Sequence, residues 1–564
     1  MIPPAKVVLR GRGTRRRSNL RDAVVVGANR NPIEALPSVL FEAAVKKLGD
    51  DVAGFAEIFS EDAPTYKRPP TVPVAGNMID LASGGHKTLL QWANEYGGEG
   101  LHEVKMLSQS ILHITDPAVA KDLMFDRFDT FPDRGVSAVA KFFREDQAAF
   151  VNTSGKRWMA YRKMGTASVN GSALDRLAGK VAERSEALVD RWRSRSLTEV
   201  NIDDASQAVT LEVIHEALFS EQLDVIAEEP TAVALKKSFR QFNVVNNDIM
   251  NDFMQMYQRF DTLEVQQREM HRRRLRAHFD ARADQRLADI AMCEANGQSS
   301  KDVPQDLLTA LLTARDPDTG ATSLSRDDVN LTLTEMMVAG HDTTAATVAC
   351  MLCMLAAHPK ALAEVVAEVD AVIDGELNGK LPSTVKDSML LKKLDDAMKE
   401  TMRLYPAVLI VVRKADEGVS GQLVSGGGNG GNGKTFAVPE GAGMWISPYV
   451  MGRLPRHWGG DADDVASYRP SRFAEAEAEG KTLDAYMPFG GGPRVCLGSR
   501  FAMLEGKVLA AAIIRNFHLE LTPELRARMH QEDGELPVSY AAGLMTFPEP
   551  LKLRVTPRRR VKTT

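Results

Sequence analysis

Cysteine is scarce in this 564-residue chain. The only thiols belong to Cys293, Cys350, Cys353 and Cys496. Four cysteines in a chain of this length cannot form the dense disulfide framework of small secreted domains. The sequence therefore indicates a reducing, intracellular compartment rather than secretion.

Long apolar runs are also missing. The longest candidate runs from Ala345 to Ala357 and follows His341 and Asp342, so it is shorter than the roughly 18–20 residues that cross a bilayer. The N-terminus lacks the apolar core of a signal peptide. We therefore expect no transmembrane segment, although peripheral contact with a membrane stays open.

Acidic residues are almost absent from both ends of the chain. Residues 1–30 hold Lys6 and seven arginines against Asp22, and residues 551–564 hold six basic residues and no acid, while the whole chain has a net charge of −5. An acidic body with basic ends lacks the basic face that nucleic-acid binding requires. Residues 1–33 fit either a basic tail or a plastid or mitochondrial transit peptide, and their single serine, Ser18, argues against the transit peptide. Without import, the protein would be cytoplasmic or peripheral on a membrane.

The composition and the local patterns predict one large α+β domain that is mostly α. The chain is 44% hydrophobic, 26% charged and 6% aromatic, which is ordinary for a globular protein. Residues 170–400 are overwhelmingly helical in pattern, a final helix is expected near 498–516, and short strand-like runs lie towards both ends. Helices in the middle with small sheets scattered around them favour this fold class.

One predicted helix is unusually long. Ser325 and Asp328 resemble a capping box at its start, and Pro359 is the next helix-breaking residue, which gives about 32 residues and ~48 Å. Met336, Ala339, Gly340 and Thr343 lie at positions i, i+3, i+4 and i+7, so they share one face of this helix. Its small residues allow a large flat ligand to lie against the backbone, with Asp342 and Thr343 beside it. A buried helix with a packing glycine is the alternative, and the helix alone favours that alternative.

A glycine-rich loop near the C-terminus carries the strongest chemical signal. It reads Phe489-Gly-Gly-Gly-Pro-Arg494-Val-Cys496-Leu-Gly498. Glycines allow close backbone approach, and a cysteine just before a helix has amide groups that stabilise its thiolate. Such a thiolate suits haem iron. An inert buried thiol is the alternative.

This loop resembles the haem-ligand signature of the cytochrome P450 superfamily, and four further motifs agree in the family's order. The long helix is similar to the family's oxygen-activating helix. The other three are Trp158-x-x-x-Arg162, Glu400-x-x-Arg403 and Pro470-Ser-Arg472-Phe473. The resemblance places one cytochrome P450 domain at 34–556, with a long central helix, small β-sheets and a Gly/Asn-rich insertion at 425–434. Basic tails at 1–33 and 557–564 flank it.

The resemblance also implies a role for each motif residue. Cys496 is the axial ligand of the iron of haem b, with Phe489 packed beside it. Arg162, Arg413 and Arg494 contact the haem propionates, since a planar guanidinium suits carboxylates. Trp158 supports the same end, and Gly340 and Gly498 lie against the cofactor. Glu400, Arg403 and Arg472 form a structural charge triad. Thr343 stabilises dioxygen and Asp342 helps to deliver protons.

Two other motifs match known functional patterns but lack the structural context that those patterns require. Gly428 to Thr435 matches the phosphate-binding pattern Gly-x4-Gly-Lys-Thr, but a strand-and-turn segment follows where that pattern needs a helix. We expect a flexible insertion there. Cys350 and Cys353 have a Cys-x-x-Cys spacing inside an apolar helix without further ligands, so we expect packing rather than redox chemistry or metal binding.

The sequence therefore predicts a haem-dependent monooxygenase. It would insert one atom of O2 into a mostly apolar small molecule, such as a lipid, fatty acid, terpenoid, sterol or carotenoid; a carotenoid-hydroxylase branch rests on the transit peptide alone. Electrons would come from NADPH through a separate reductase or ferredoxin, and the protein is expected to be a monomer. The pocket residues expected from the family are Phe142, Phe143, Met336, Val408, Leu409, Ile410 and Leu544.

Two alternatives stay open. A haem-thiolate isomerase or dehydratase would act on peroxides without O2, but such relatives usually depart from the acid–threonine pair that Asp342 and Thr343 form here. A non-enzymatic haem-binding protein is the second alternative, and the same pair argues against it.

Overall fold

A computed structural model describes residues 66–72, 76–106, 109–134, 150–151, 153–169, 171–245, 263–299, 302–315, 324–416, 418–425, 434–541 and 543–559. Several sequence predictions lie outside these residues: the basic tail 1–33, the pocket residues Phe142 and Phe143, residues 426–433 of the insertion, and 560–564 of the C-terminal tail.

Helices dominate the described part of the chain, as predicted. They are α1 Met78–Glu95, α2 Pro117–Lys121, α3 Gly155–Ser168, α4 Ser172–Ser194, α5 Ile202–Phe219, α6 Pro230–Val245, α7 Leu263–Ala295, α8 Leu307–Leu312, α9 Arg326–Ala357, α10 Pro359–Ala371, α11 Val385–Ser388, α12 Lys392–Leu404, α13 Pro448–Met451, α14 Pro455–Trp458, α15 Ala462–Ala466, α16 Ser471–Ala478, α17 Ser499–Asn516 and α18 Pro523–Gln531.

The strands are short. They are β1 Leu101–Met106, β2 Gln109–Ile114, β3 Glu199–Asn201, β4 Val411–Lys414, β5 Gly421–Ser425, β6 Lys434–Val438, β7 Gly443–Ile446, β8 Phe517–Leu521, β9 Ser539–Ala541, β10 Leu544–Thr546 and β11 Lys552–Pro557. They form small sheets with the orders β1-β2-β7-β4, β3-β11-β8, β9-β10 and β5-β6. The predicted class, α+β and mostly α, is therefore confirmed.

Helix α9 is the central element of the fold. Ser325 caps it, with the Ser325 hydroxyl and the Asp328 carboxylate forming the predicted capping box, and the helix ends just before Pro359. It packs against α5, α12, α17 and β8. Among the described helices it alone is long and apolar enough to span a membrane, and 83% of its most apolar window is buried inside the protein, as in the core helix of a large domain.

The Gly/Asn-rich insertion connects a β-hairpin. Strand β5 pairs antiparallel with β6, and Ser425 lies opposite Lys434 in the register. The predicted insertion boundaries at 425 and 434 therefore coincide with the ends of two strands. Residues 434–438 form a strand, as predicted, rather than the helix that a phosphate-binding loop requires.

Candidate active site

The cysteine loop has a backbone that only glycine tolerates at key positions. Gly490 and Gly492 have φ angles of +67° and +66°, where a side chain is strained. A Cβ at Gly492 would lie 1.9 Å from the Met124 carbonyl oxygen. The Cys496 amide donates to the Phe489 carbonyl at 3.0 Å, which closes the loop. The glycines therefore hold Cys496 in one position just before α17.

The thiol of Cys496 borders an internal space. Its side chain is accessible to solvent, although protein atoms surround it on almost all sides. Burial raises the pKa of the thiol, while the Gly498 amide and the guanidinium groups of Arg162 and Arg134 act to lower it. Gly498 itself has no atoms within 4 Å of where a Cβ would be, so it faces open space next to the thiol. Both features suit a ligand bound against the loop.

Arg494 and Trp158 meet beside the loop, as the resemblance implies. The Arg494 guanidinium lies 4.7 Å from the centre of the Trp158 ring. Its Nη2 donates to the Thr153 carbonyl at 2.6 Å and to the Ser154 hydroxyl at 3.0 Å. These contacts attach the start of α3 to the cysteine loop.

Three further arginines converge on the same place. Arg162 Nη1 donates to the Val495 carbonyl at 2.6 Å, and Arg134 Nη2 donates to the Arg494 carbonyl at 2.9 Å. Arg413, on β4, is fully buried, and its repulsion by Arg134 and Arg494 contributes to lowering its pKa. The sequence analysis missed Arg134 because no motif spacing surrounds it.

This arginine cluster, formed by Arg134, Arg162, Arg413 and Arg494, is only partly compensated by negative charge: among the described residues, the Asp133 carboxylate acts on Arg494, and Glu335 and the Cys496 thiolate act on Arg134. Arg413 Nε and Nη2, Arg494 Nε and Arg134 Nε are buried without hydrogen-bond partners. Burial, followed by mutual repulsion, lowers the pKa of Arg413 to about 9 and that of Arg494 to about 10. Buried polar groups normally have partners, so the cluster fits an anionic ligand. The two propionates of haem, next to a thiol that can bind its iron, match this requirement.

The exposed face of α9 is the one that the sequence predicted. Ala339 is exposed and Met336, Gly340 and Thr343 are partly exposed, whereas most of the helix is buried. A Cβ built on Gly165 of α3 would lie 3.8 Å from Met336 and 2.6 Å from Leu497. The exposed face of α9, at Met336, and Leu497, the residue after Cys496, therefore meet at α3.

Gly340 has a packing reason to be glycine. A Cβ at this position would lie 2.6 Å from Ile214 of α5, so α5 could not approach α9 as closely with any other residue. The predicted contact of Gly340 with a flat ligand stays a prediction and is not needed to explain the glycine.

The predicted acid–threonine pair lies on α9 with its polar atoms already engaged. The Thr343 hydroxyl donates to the Ala339 carbonyl at 2.9 Å. The Gln207 amide, on α5, donates to Asp342 Oδ1 at 3.5 Å. One carboxyl and one hydroxyl thus flank the exposed face of the helix, where they can hold and move protons.

Two buried carboxyls near this face were missed by the sequence analysis. Glu335 accepts from the Val151 amide at 3.0 Å, and burial raises its pKa to about 8. Glu505, on α17, lies beside Thr344, and burial raises its pKa well above the usual value. Glu335 has a recognisable signal, since it is a lone acid in an apolar run of α9. Burial therefore favours the protonated form of both carboxyls.

The residues of the predicted charge triad meet in the core. Arg403 Nε and Nη2 donate to the two oxygens of Glu400 at 2.7 and 2.8 Å, and Arg472 Nε reaches Glu400 Oε1 at 3.5 Å. Arg403 also donates to the carbonyls of Gly452 and Val465 at 2.7 Å. This cluster links α12 to α13, α15 and α16, and among the described residues its hydrogen bonds do not involve the cysteine loop.

The predicted pocket residues fall into different places. Val408 and Leu544 are partners in a β-bridge, so the structure brings these two together. Leu409 and Ile410 pack instead in the apolar cluster under α1. Met336 lies on the exposed face of α9.

Cys350 and Cys353 are buried in α9. The Cys350 sulfur lies 3.5 Å from the Met545 sulfur, and burial raises the pKa of both thiols. No group of three or more metal-ligating side chains occurs among the described residues. These contacts agree with a packing role for both cysteines.

The chain matches one family model along most of its length. The model described as "Cytochrome P450" matches residues 67–552. Three relatives illustrate the similarity. "Putative cytochrome P450 CYP13A7" of Caenorhabditis elegans is 25% identical over 490 residues, which cover 81% of this chain and 88% of the relative. "Cytochrome P450 4V2" is 32% identical in Mus musculus, over 39% of this chain and 38% of the relative, and 30% identical in Homo sapiens, over 40% of each.

Proposed function

The chain belongs to the cytochrome P450 family, and on that basis we propose that it is a monooxygenase that transfers one oxygen atom from O2 to a mostly apolar small molecule of the lipid type. The observation that carries this proposal is the combination of an accessible Cys496 thiol, an arginine cluster with buried N–H groups that have no hydrogen-bond partner, and an acid–threonine pair on the nearby face of α9. When bound, haem supplies the activation of O2 and the transfer of its oxygen atom.

The protein's own residues bind and orient the cofactor. Cys496 would be the thiolate ligand, and Arg413, Arg494 and Arg134, whose buried nitrogens lack hydrogen-bond partners, would hold the propionates. Arg162, through the Val495 carbonyl, fixes the loop next to the ligand. A buried guanidinium that gains a carboxylate partner recovers much of its desolvation penalty, so cofactor binding and loop order reinforce each other.

Asp342 and Thr343 would supply protons to the site. The Thr343 hydroxyl lies one turn from Ala339, the exposed residue at the middle of the exposed face of α9. It would hold a proton towards the exposed face of α9, and the Asp342 carboxyl would replace that proton. The apolar residues Met336, Val408 and Leu544 lie partly exposed and favour an apolar substrate.

An electron donor with an acidic surface would fit the face of α3 beside the loop. Lys156, Met159 and Lys163 are exposed along one side of α3, and Arg500 is exposed in the first turn of α17. None of these three basic side chains has an acidic partner within the described part of the chain. We therefore expect reduction by the donor to slow with rising salt, and Lys163→Glu to slow it further.

The proposal is tested by incubating the holoenzyme with NADPH, a reductase, a panel of fatty acids and other lipids, and 18O2. Incorporation of one labelled oxygen atom into a product, lost in Cys496→Ser, supports it. Conversion of lipid hydroperoxides without O2 or NADPH would instead assign the isomerase or dehydratase chemistry. Absence of both reactions in a haem-loaded protein would leave a non-enzymatic haem protein.

A further inference from the structure

A buried carboxyl on α5 faces the predicted proton-delivery acid on α9. Asp203 is 3% exposed. Its two oxygens accept from Gln207 Nε2 at 3.1 and 3.2 Å, and the same nitrogen lies 3.5 Å from Asp342 Oδ1. A single amide group therefore bridges two carboxyl groups on neighbouring helices.

The surrounding charges favour one shared proton. Burial is the main cause that raises the pKa of Asp203 to about 7, and the negative charge of Asp342 is the second. Arg240 of α6 opposes these effects, while the neighbouring Asp204 adds to them. The two thiols of α9 that face Asp203, those of Cys350 and Cys353, are uncharged at neutral pH. Two coupled carboxyls in this setting hold a proton together near neutral pH.

The far side of the pair is close to solvent. The Asp204 side chain, one residue along α5, is 46% exposed and pairs with Lys236 at 2.8 Å and Arg240 at 3.6 Å. On the near side, the Thr210 hydroxyl donates to the His341 carbonyl at 3.0 Å, which attaches α5 to α9 beside Asp342. The carboxyl pair therefore has a partly exposed acid next to Asp203 in sequence and the partly exposed face of α9 next to Asp342.

We propose that Asp203 is a positioning residue that keeps Asp342 supplied with protons, and that Gln207 holds the two carboxyls together for this purpose. The inference rests on the proposed function. In each delivery, Asp342 gives one proton to the site and the pair takes one proton from solvent at the Asp204 end. No other bond forms or breaks in this step, and no electron is transferred.

The first test needs no turnover. We expect the infrared spectrum of the substrate-free holoenzyme to contain, in addition to the bands of other buried carboxyls such as Glu335, a protonated carboxyl band of the Asp203–Asp342 pair that titrates near pH 7. Asp203→Asn should remove this band. The matched control is Asp190→Asn, an exposed acid on α4, the helix that packs against α5, and it should leave the band unchanged. A wild-type minus Asp203→Asn difference spectrum without a protonated carboxyl band that titrates near pH 7 would overturn the inference.

The second test measures proton delivery in turnover. For Asp203→Asn and Gln207→Leu we expect at least a threefold loss of product formed per NADPH consumed and a larger solvent deuterium isotope effect, with the haem spectrum unchanged. Asp203→Glu should restore part of the coupling, which a packing defect would not allow. Wild-type coupling and isotope effect in both Asp203→Asn and Gln207→Leu would contradict the inference. If the wild type oxygenates no substrate, the proposed function fails, while the infrared titration still tests the carboxyl pair.

Discussion

Arg413→Met should stabilise the haem-free chain and weaken haem binding. Arg413 is fully buried, two of its nitrogens have no partner, and its pKa falls from 12.5 to about 9. At about 1.4 kcal/mol per pKa unit this corresponds to about 5 kcal/mol. Because the folded-state pKa lies below the unfolded value, the charged form is disfavoured by folding, and the full penalty is present at pH 7. Methionine has a similar volume and removes the buried charge, so we expect the haem-free chain to gain up to that amount.

Haem binding should change in the opposite direction. Loss of one partner of a buried charge pair typically costs about 2–5 kcal/mol, which corresponds to a roughly 30- to 5,000-fold weaker affinity. The assays are urea unfolding of the haem-free chain followed by circular dichroism, and haem titration followed by absorbance. Arg554→Met, at an exposed position on β11, is the matched control and should change neither quantity. A haem-free chain that Arg413→Met destabilises by several kcal/mol, or an unchanged haem affinity, would refute this account of the arginine cluster.

Three further predictions concern the free energy of unfolding and haem incorporation. Glu400→Gln leaves Arg403 and Arg472 buried without their carboxylate and should lower the free energy of unfolding by about 3–5 kcal/mol in urea denaturation, whereas the exposed control Glu477→Gln should not. Gly492→Ala forces a Cβ onto the Met124 carbonyl oxygen and should abolish haem incorporation, measured by absorbance. The control Gly179→Ala, in helix α4 with open space around it, should instead raise the free energy of unfolding by about 0.5–1 kcal/mol. Because the pKa of Asp203 is raised to about 7, this residue should contribute a fall in stability of up to about 4 kcal/mol as pH rises from about 4 to 7. The fall measured for Asp203→Asn should be smaller than that of the wild type by this contribution, and an equal fall in both would count against it.

The sequence predicted the long helix well because its determinants are local. A capping box at Ser325, a proline at 359 and an apolar run between them are all readable from neighbouring residues, and the helix has those bounds. The same holds for α17, expected near 498–516 and found at Ser499–Asn516. The motif Glu400-x-x-Arg403 likewise places two side chains on one helical face.

The features of the site that the sequence did not predict depend on contacts between residues that are distant in sequence. The reason for Gly340 is Ile214, which is far away in sequence and lies on another helix. Arg134 joins the arginine cluster from a segment without a motif, through the Arg494 carbonyl. Leu409, expected in the pocket, packs in the apolar cluster that includes Met78 and Trp92 of α1. No local pattern encodes such relations.

The most direct test of the central claim is the absorption spectrum of the reduced holoenzyme exposed to carbon monoxide, recorded for wild type and Cys496→Ser. Cys496 lies in a loop that holds its accessible thiol near Arg162 and Arg134. The account predicts a strongly red-shifted Soret band in the wild type and its loss in the variant, because only a thiolate ligand gives that shift. A wild type that folds without any haem band, or a variant that retains the red-shifted band, would contradict the assignment of Cys496 as the haem ligand.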